Sequence, residues 1–270
     1  MFKAISIVLC LSLIIIVLQL YVFQRRLIYF PEQYTPHLQD YHATDMTVLT
    51  LQTKDNIKLL SWYKPATNNQ PTLLFLHGNA GHIGYRMPLI RQFIKAGFGV
   101  FLLEYRGYGG NKGAPTEQGL YEDGQTALAF LYQQGIKPKQ IIVYGESLGT
   151  GIATKLAADN PIGCVILQSP FTSLLSLSRF HYPWIMIKPW DQFNSLERMK
   201  QIHAPLLVLH GKQDQIVPFS EGLAIFNEAN TPKEMLELEK QNHNDLWDSH
   251  EFYEKIIHFS RENCRAGSRV

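Results

Sequence analysis

Ser147 stands at the centre of Gly145-Glu146-Ser147-Leu148-Gly149, after an apolar run at 140–144 and before the small-residue stretch 150–154. In the sequence strand, Gly-x-Ser-x-Gly, helix, the serine sits at a strained tip, and the glycines two residues either side permit strand and helix to approach closely. Its hydroxyl then points into open space, as a nucleophile requires. An alcohol alone is a weak nucleophile, so acyl transfer also calls for a base, an acid to orient that base, and N–H donors for the oxyanion. On such a turn the expected chain order is nucleophile, acid, histidine.

Asp214 is the expected acid. It follows the apolar run 205–210 within His210-Gly211-Lys212-Gln213-Asp214, in a loop beyond a strand's carboxyl end, where open α/β sheets place their sites. Of the ten histidines, His243 lies between the last strand pattern and the last helix pattern, where a base would meet both Ser147 and Asp214. His250 is the runner-up but falls in an amphipathic helix, and His77, before Gly78, is expected to shape its turn. For the oxyanion, Leu148 offers the N–H after the nucleophile. The loop His77-Gly78-Asn79-Ala80-Gly81 offers the second, assigned to Asn79 with Ala80 as the fallback. Its glycines lack the spacing of a phosphate-binding loop. The triad supplies nucleophile, base and acid, so no cofactor and no metal is expected.

Positioning these groups falls to the elements around them. Two β-rich runs, 46–52 and 57–63, joined by Lys54-Asp55-Asn56, read as a hairpin. Apolar runs at 72–77, 99–105, 140–144, 163–168, 205–210 and 234–239 then alternate with helix-length segments at 84–95, 116–133, 147–158, 220–229 and 250–262. Runs such as Leu73 to Leu76 are apolar at every position, the pattern of strands covered on both faces. The fold class is therefore α/β, with a mostly parallel central sheet flanked by helices and the hairpin at one edge. Residues 171–193 break the alternation, because their aromatic side chains follow no regular period. Long irregular loops of this kind are usually functional. The segment is expected to form a short lid, with Phe171, Phe180, Tyr182, Trp184, Met186 and Trp190 lining the substrate site.

At 270 residues and 46% hydrophobic composition the chain can bury one large core. A net charge of +2, with acidic and basic residues well mixed, offers no nucleic-acid footprint. Cys10, Cys164 and Cys264 occupy three unlike settings that indicate neither a disulfide framework nor a metal site, and Cys164 reads as a small buried hydrophobe. Residues 4–23 carry no charge, and only Ser6, Ser12 and Gln19 interrupt their apolar character. That length suits a transmembrane helix, and the run continues into Arg25 and Arg26 without the small-x-small site of a cleaved signal. A membrane location through a single-pass anchor is expected. Its orientation stays open, because Lys3 opposes Arg25 and Arg26 across the span.

Several motifs together carry a family resemblance: Arg26 to Pro31, His77 to Gly81, Tyr105 to Gly109, Gly113 to Glu117, the serine turn, Asp191 to Ser195, His210 to Pro218, and His243 to Asp245. Over nearly its whole length the chain resembles the α/β-hydrolase superfamily, and more narrowly the membrane-anchored ABHD branch that includes the fungal bud-emergence homologue. The resemblance implies Ser147, Asp214 and His243 as the triad and structural roles for Arg106 and Asp123. Glu104 departs from a usual aspartate, and Asn242 from a usual smaller residue, which could shift the His243 loop. The resemblance also implies a serine hydrolase acting on acyl esters or thioesters, with lipid-like or acylated-protein substrates. One alternative is a serine peptidase of the same fold, for which the lid region offers only Asp191 as an acidic residue. Another is a catalytically silent anchored scaffold, which would ordinarily lack a triad member. The expected organisation is an anchor at 1–26, a connector at 27–45, the hydrolase domain at 46–265 with its insertion at 171–195, and a tail at 266–270.

Overall fold

A computed structural model of the chain describes residues 2–184 and 187–264. Its strands, in chain order, are β1 (Phe30–Pro31), β2 (Thr47–Gln52), β3 (Lys58–Lys64), β4 (Thr72–Leu76), β5 (Ala80–Gly81), β6 (Gly99–Leu103), β7 (Ile141–Glu146), β8 (Cys164–Gln168), β9 (Leu206–Gly211) and β10 (Lys233–Leu238). The helices are α1 (Phe2–Val22), α2 (Arg25–Ile28), α3 (Met87–Lys95), α4 (Glu117–Gln133), α5 (Leu148–Asp159), α6 (Leu174–His181), α7 (Ser195–Arg198), α8 (Phe219–Glu228) and α9 (His250–Asn263).

The main sheet runs β10-β9-β8-β7-β4-β6-β3-β2. From β10 to β6 every pairing is parallel, and the antiparallel hairpin β2-β3 closes one edge, as expected. Side chains alternate between two buried layers. Leu74, Leu76, Val143, Val165, Leu167 and Val208 pack with Leu128, Ile152 and Leu156 of α4 and α5. Leu73, Phe75, Ile142, Tyr144, Ile166 and Leu207 pack with Ile90, Phe93, Phe252 and Ile256 of α3 and α9. This two-sided burial is why central strands such as Leu73 to Leu76 and Leu206 to Leu209 are apolar at every position. The chain adds β6 on one side of β4 and then crosses back to place β7 on the other. Such a reversal opens a crevice at the strands' carboxyl ends, which is where ligands bind in open α/β sheets.

Two expectations need correction. Residues 2–22 do form one helix, but among the described residues no helix is long and apolar enough to cross a membrane. Ser6, Ser12 and Gln19 are exposed along α1 and interrupt its apolar surface about every second turn. The single-pass anchor at 4–23, and the membrane location built on it, fall with that finding. The second correction concerns cysteine. Cys164 and Cys264 form a disulfide, with their Cα atoms 6.0 Å apart. The start of β8 and the end of α9 meet only in the folded chain, so a separation of 100 residues concealed the pairing. Residues 265–270, and with them the expected tail, lie outside the described residues.

Candidate active site

Ser147 follows β7 directly and has φ +49° and ψ −114°, the strained geometry of a turn that a non-glycine residue rarely adopts. Its N–H donates to the Gln168 carbonyl at 2.9 Å, and its carbonyl accepts from Thr150 N–H at 2.9 Å and Thr150 Oγ1 at 2.6 Å. Both motif glycines are required by space. A Cβ on Gly145 would lie 2.6 Å from the Gly149 carbonyl oxygen, and one on Gly149 would lie 2.0 Å from that of Leu76. Helix α5 therefore starts in backbone contact with the end of β4.

The structure brings the three expected groups into one hydrogen-bonded chain. His243 Nε2 lies 2.9 Å from Ser147 Oγ, and His243 Nδ1 lies 2.7 Å from Asp214 Oδ2. The loops after β7, β9 and β10 contribute one group each. Asp214 Oδ1 accepts the N–H groups of Ile216 and Val217 at 2.9 and 2.8 Å, while His210 Nε2 lies 3.4 Å from Oδ2. Burial by itself would raise the Asp214 pKa. Bonds from His210, His243 and the Val217 N–H outweigh it, and the carboxyl is held well below its ordinary range. Asn242 braces the base loop: its Oδ1 accepts the N–H of His243 at 2.8 Å and of Gln215 at 3.3 Å, bridging base and acid loops.

The loop after β4 passes beside the serine turn. Its carbonyls are tied to donors: His77 O to Tyr105 OH at 3.0 Å, Gly78 O to the His77 ring at 2.8 Å, Asn79 O to Tyr108 OH at 2.8 Å, and Ala80 O to Arg86 Nη1 at 2.9 Å. In a trans peptide the N–H points opposite its carbonyl, so these ties turn the N–H groups of Asn79 and Ala80 away from those partners. The Leu148 N–H is the first of α5, one of the donors a helix leaves unpaired. His77 is fully buried, with Nε2 3.0 Å from Glu104 Oε1 but without hydrogen-bond alignment, and Glu104 Oε2 accepts from Ile83 N–H at 2.9 Å. The longer glutamate thus reaches across the base of this loop. Arg106 pairs with the buried Asp123 through Nε at 2.9 Å and with Asp55.

Sequence reasoning missed Arg86. It grips Glu146, the residue before the nucleophile, through Nε at 3.0 Å and Nη2 at 3.1 Å, while Nη1 holds the first loop at Ala80. Burial would raise the Glu146 pKa, but the charge of Arg86 and its hydrogen bonds lower it overall, so the acid is kept ionised. Glu146 occupied a variable position of the motif, and nothing in the sequence singled out Arg86 as its partner.

The aromatic residues expected to line the substrate site are not gathered together. Phe171 is 1% exposed and belongs to the core. Phe180, Tyr182 and Trp184 are exposed; Phe180 sits edge-on to His181, and Tyr182 edge-on to Trp184. Trp190 packs against Tyr21 and beneath Arg25. Met186 lies outside the described residues. Within the segment Leu174–His181 form α6, whose start Ser173 caps by accepting the Ser176 N–H at 3.1 Å. His181 Nε2 at its end meets the Ile216 carbonyl in the acid loop at 2.8 Å.

This geometry can activate a hydroxyl and orient a base. Comparison with known proteins places it in context. A family model described as "alpha/beta hydrolase fold" matches residues 71–192. Protein bem46 of Schizosaccharomyces pombe is 32% identical over 265 residues, covering 90% of this chain and 88% of that protein. The lysophosphatidylserine lipase ABHD12 of Rattus norvegicus is 32% identical over 221 residues, covering 72% of this chain and 55% of its own length. Among solved structures, the Pyrococcus furiosus esterase Pf2001 superposes with a TM-score of 0.73 at 20% identity, covering 88% of this chain and 98% of that one, a likeness of fold.

Proposed function

Because the chain belongs to the ABHD branch of the α/β-hydrolase superfamily, we propose that it is a serine hydrolase cleaving acyl esters or thioesters through an acyl-serine intermediate. The observation that carries this is the Ser147–His243–Asp214 chain at 2.9 and 2.7 Å, on a serine held in a strained turn. Ser147 Oγ attacks the acyl carbon while His243 Nε2 takes its proton. The same nitrogen returns that proton to the departing alkoxide or thiolate, and water then repeats the sequence to release the acid. Asp214 stays ionised and stabilises the imidazolium, in keeping with its depressed pKa. The N–H groups of Asn79 and Leu148 receive the oxyanion.

A lipid-like acyl group is the favoured substrate class. Its support is the relative named as a lysophosphatidylserine lipase. A peptidase that receives a free amino terminus is disfavoured, because Asp191 is already neutralised by Arg25 Nε at 2.8 Å and bonded to Tyr29 OH at 3.0 Å. The test is to treat the full chain and its Ser147→Ala variant with a fluorophosphonate probe and to map the adduct by mass spectrometry. Modification at Ser147 that vanishes in the variant is expected. A folded wild type that does not react would overturn the proposal in favour of a silent scaffold.

A further inference from the structure

Residues 24–32 precede the first long strand yet touch both the insertion and the loop after β4. At one end, Gln24 Oε1 accepts the Trp190 N–H at 2.7 Å. Arg25 forks onto the buried Asp191 through Nε at 2.8 Å and Nη2 at 3.1 Å, and Tyr29 OH donates to the same carboxylate. Asp191 also accepts the Glu117 N–H at 3.1 Å, which ties it to the start of α4. At the other end, β1 pairs in parallel with β5, with Phe30 opposite Ala80. Phe30 N–H donates to the Asn79 carbonyl at 2.9 Å, and Asn79 Nδ2 donates to the Ile28 carbonyl at 2.9 Å. Glu32 N–H meets the Gly81 carbonyl at 3.3 Å, and the Glu32 carbonyl accepts from Gly109 N–H at 2.8 Å.

We infer that residues 24–32 are a positioning strap for the oxyanion loop, in which Ile28 and Phe30 fix the side chain and carbonyl of Asn79 and the Arg25–Tyr29–Asp191 clasp anchors the strap to the insertion. The inference rests on the acyl-serine proposal, since it assigns the strap an effect on the tetrahedral oxyanion. Held at its side chain by Ile28 and at its carbonyl by Phe30, the Asn79 α-carbon is fixed on two sides, which limits rotation about the bond to its own N–H group. Oxyanion donors act on the transition state far more than on bound substrate, so loosening the strap lowers kcat and leaves KM nearly unchanged. Loss of a whole donor costs about 100-fold to 1,000-fold, so a misplaced one is expected to cost about tenfold to 100-fold.

The experiment uses the full chain with Arg25→Met, Asn79→Ala and the charge-preserving Arg25→Lys, each checked for the wild-type circular dichroism spectrum. Steady-state hydrolysis of p-nitrophenyl butyrate gives kcat and KM. Inhibition by phenylboronic acid, whose tetrahedral adduct presents an oxygen to the oxyanion donors, is compared with inhibition by butyrate. Expected is a parallel fall in kcat and boronate affinity for Arg25→Met and Asn79→Ala, with KM and butyrate affinity nearly unchanged and Arg25→Lys recovering most of the loss. If Arg25→Met does not fold, Asn79→Ala alone decides. An unchanged kcat, or a fall in kcat without loss of boronate affinity, overturns the strap while wild-type labelling of Ser147 leaves the hydrolase proposal standing. A wild type unlabelled at Ser147 and inactive overturns both.

Discussion

Replacing Gly149 by alanine puts the tightest contact of the serine turn to the test. The new methyl carbon would lie 2.0 Å from the Leu76 carbonyl oxygen, 2.7 Å from its carbon and 2.8 Å from the His77 carbonyl oxygen. All three atoms are backbone, so no side chain can rotate aside. Ordinary contact lies near 3.5 Å, so the start of α5 must retreat from β4 by about 1 Å or more. Overpacking of this kind costs about 3 kcal/mol, the upper end of its usual range. The same retreat carries Ser147 away from His243 Nε2, now 2.9 Å from its hydroxyl, and a displacement of about 1 Å costs roughly 100-fold in rate. Gly135→Ala is the control: with φ +80° and nothing within 4 Å, it should cost only about 1 kcal/mol of backbone strain and leave catalysis intact. Urea denaturation and hydrolysis of a short p-nitrophenyl ester measure the two effects. The reasoning fails if Gly149→Ala keeps more than about a third of the wild-type kcat/KM and unfolds at the same urea concentration as Gly135→Ala.

Three further outcomes are expected. Asp214→Asn should lower kcat by roughly 10,000-fold, because the base loses its orienting charge. The Asp214 pKa is lower folded than unfolded, so the stability this group contributes is complete above about pH 4 and is lost as pH falls toward the folded value; the stability gap between wild type and variant should therefore narrow in acid denaturation series. Arg86→Met should destabilise by about 3 kcal/mol by leaving Glu146 buried without its partner, and a double-mutant cycle with Glu146→Gln should return much of that loss. Alkylation of the denatured, unreduced protein should mark Cys10 alone, whereas all three cysteines should react after reduction, read by intact mass.

The sheet was legible because burial on both faces leaves strands apolar at every position, and Leu73 to Leu76 or Leu206 to Leu209 admit few other readings. The serine turn was legible because backbone crowding at Gly145 and Gly149 excludes any side chain. Asp214 and His243 could be located by chain order. The clasp of Arg25 on Asp191 joins residues 166 apart and leaves no local trace, and the same holds for Cys164 with Cys264. The aromatic side chains of the insertion drew attention from the Ser173 cap that marks its helix. In α1 the apolar count was visible, but a count does not convey how exposed polar side chains divide the helix surface.

The bond between Cys164 and Cys264 also divides the molecule topologically. The ring it closes contains the insertion, Asp214 and His243, while Ser147 and the loop at 77–81 lie on the open chain before it. A single cut by a protease within the ring, for instance near the exposed Tyr182 and Trp184, leaves the two pieces covalently joined until a reductant is added. A cut before residue 164 releases a fragment at once. Gel mobility with and without reductant thus tells which side of that boundary any nick has fallen on, and an oxidised chain nicked in the insertion still carries Ser147, Asp214 and His243 on one molecule.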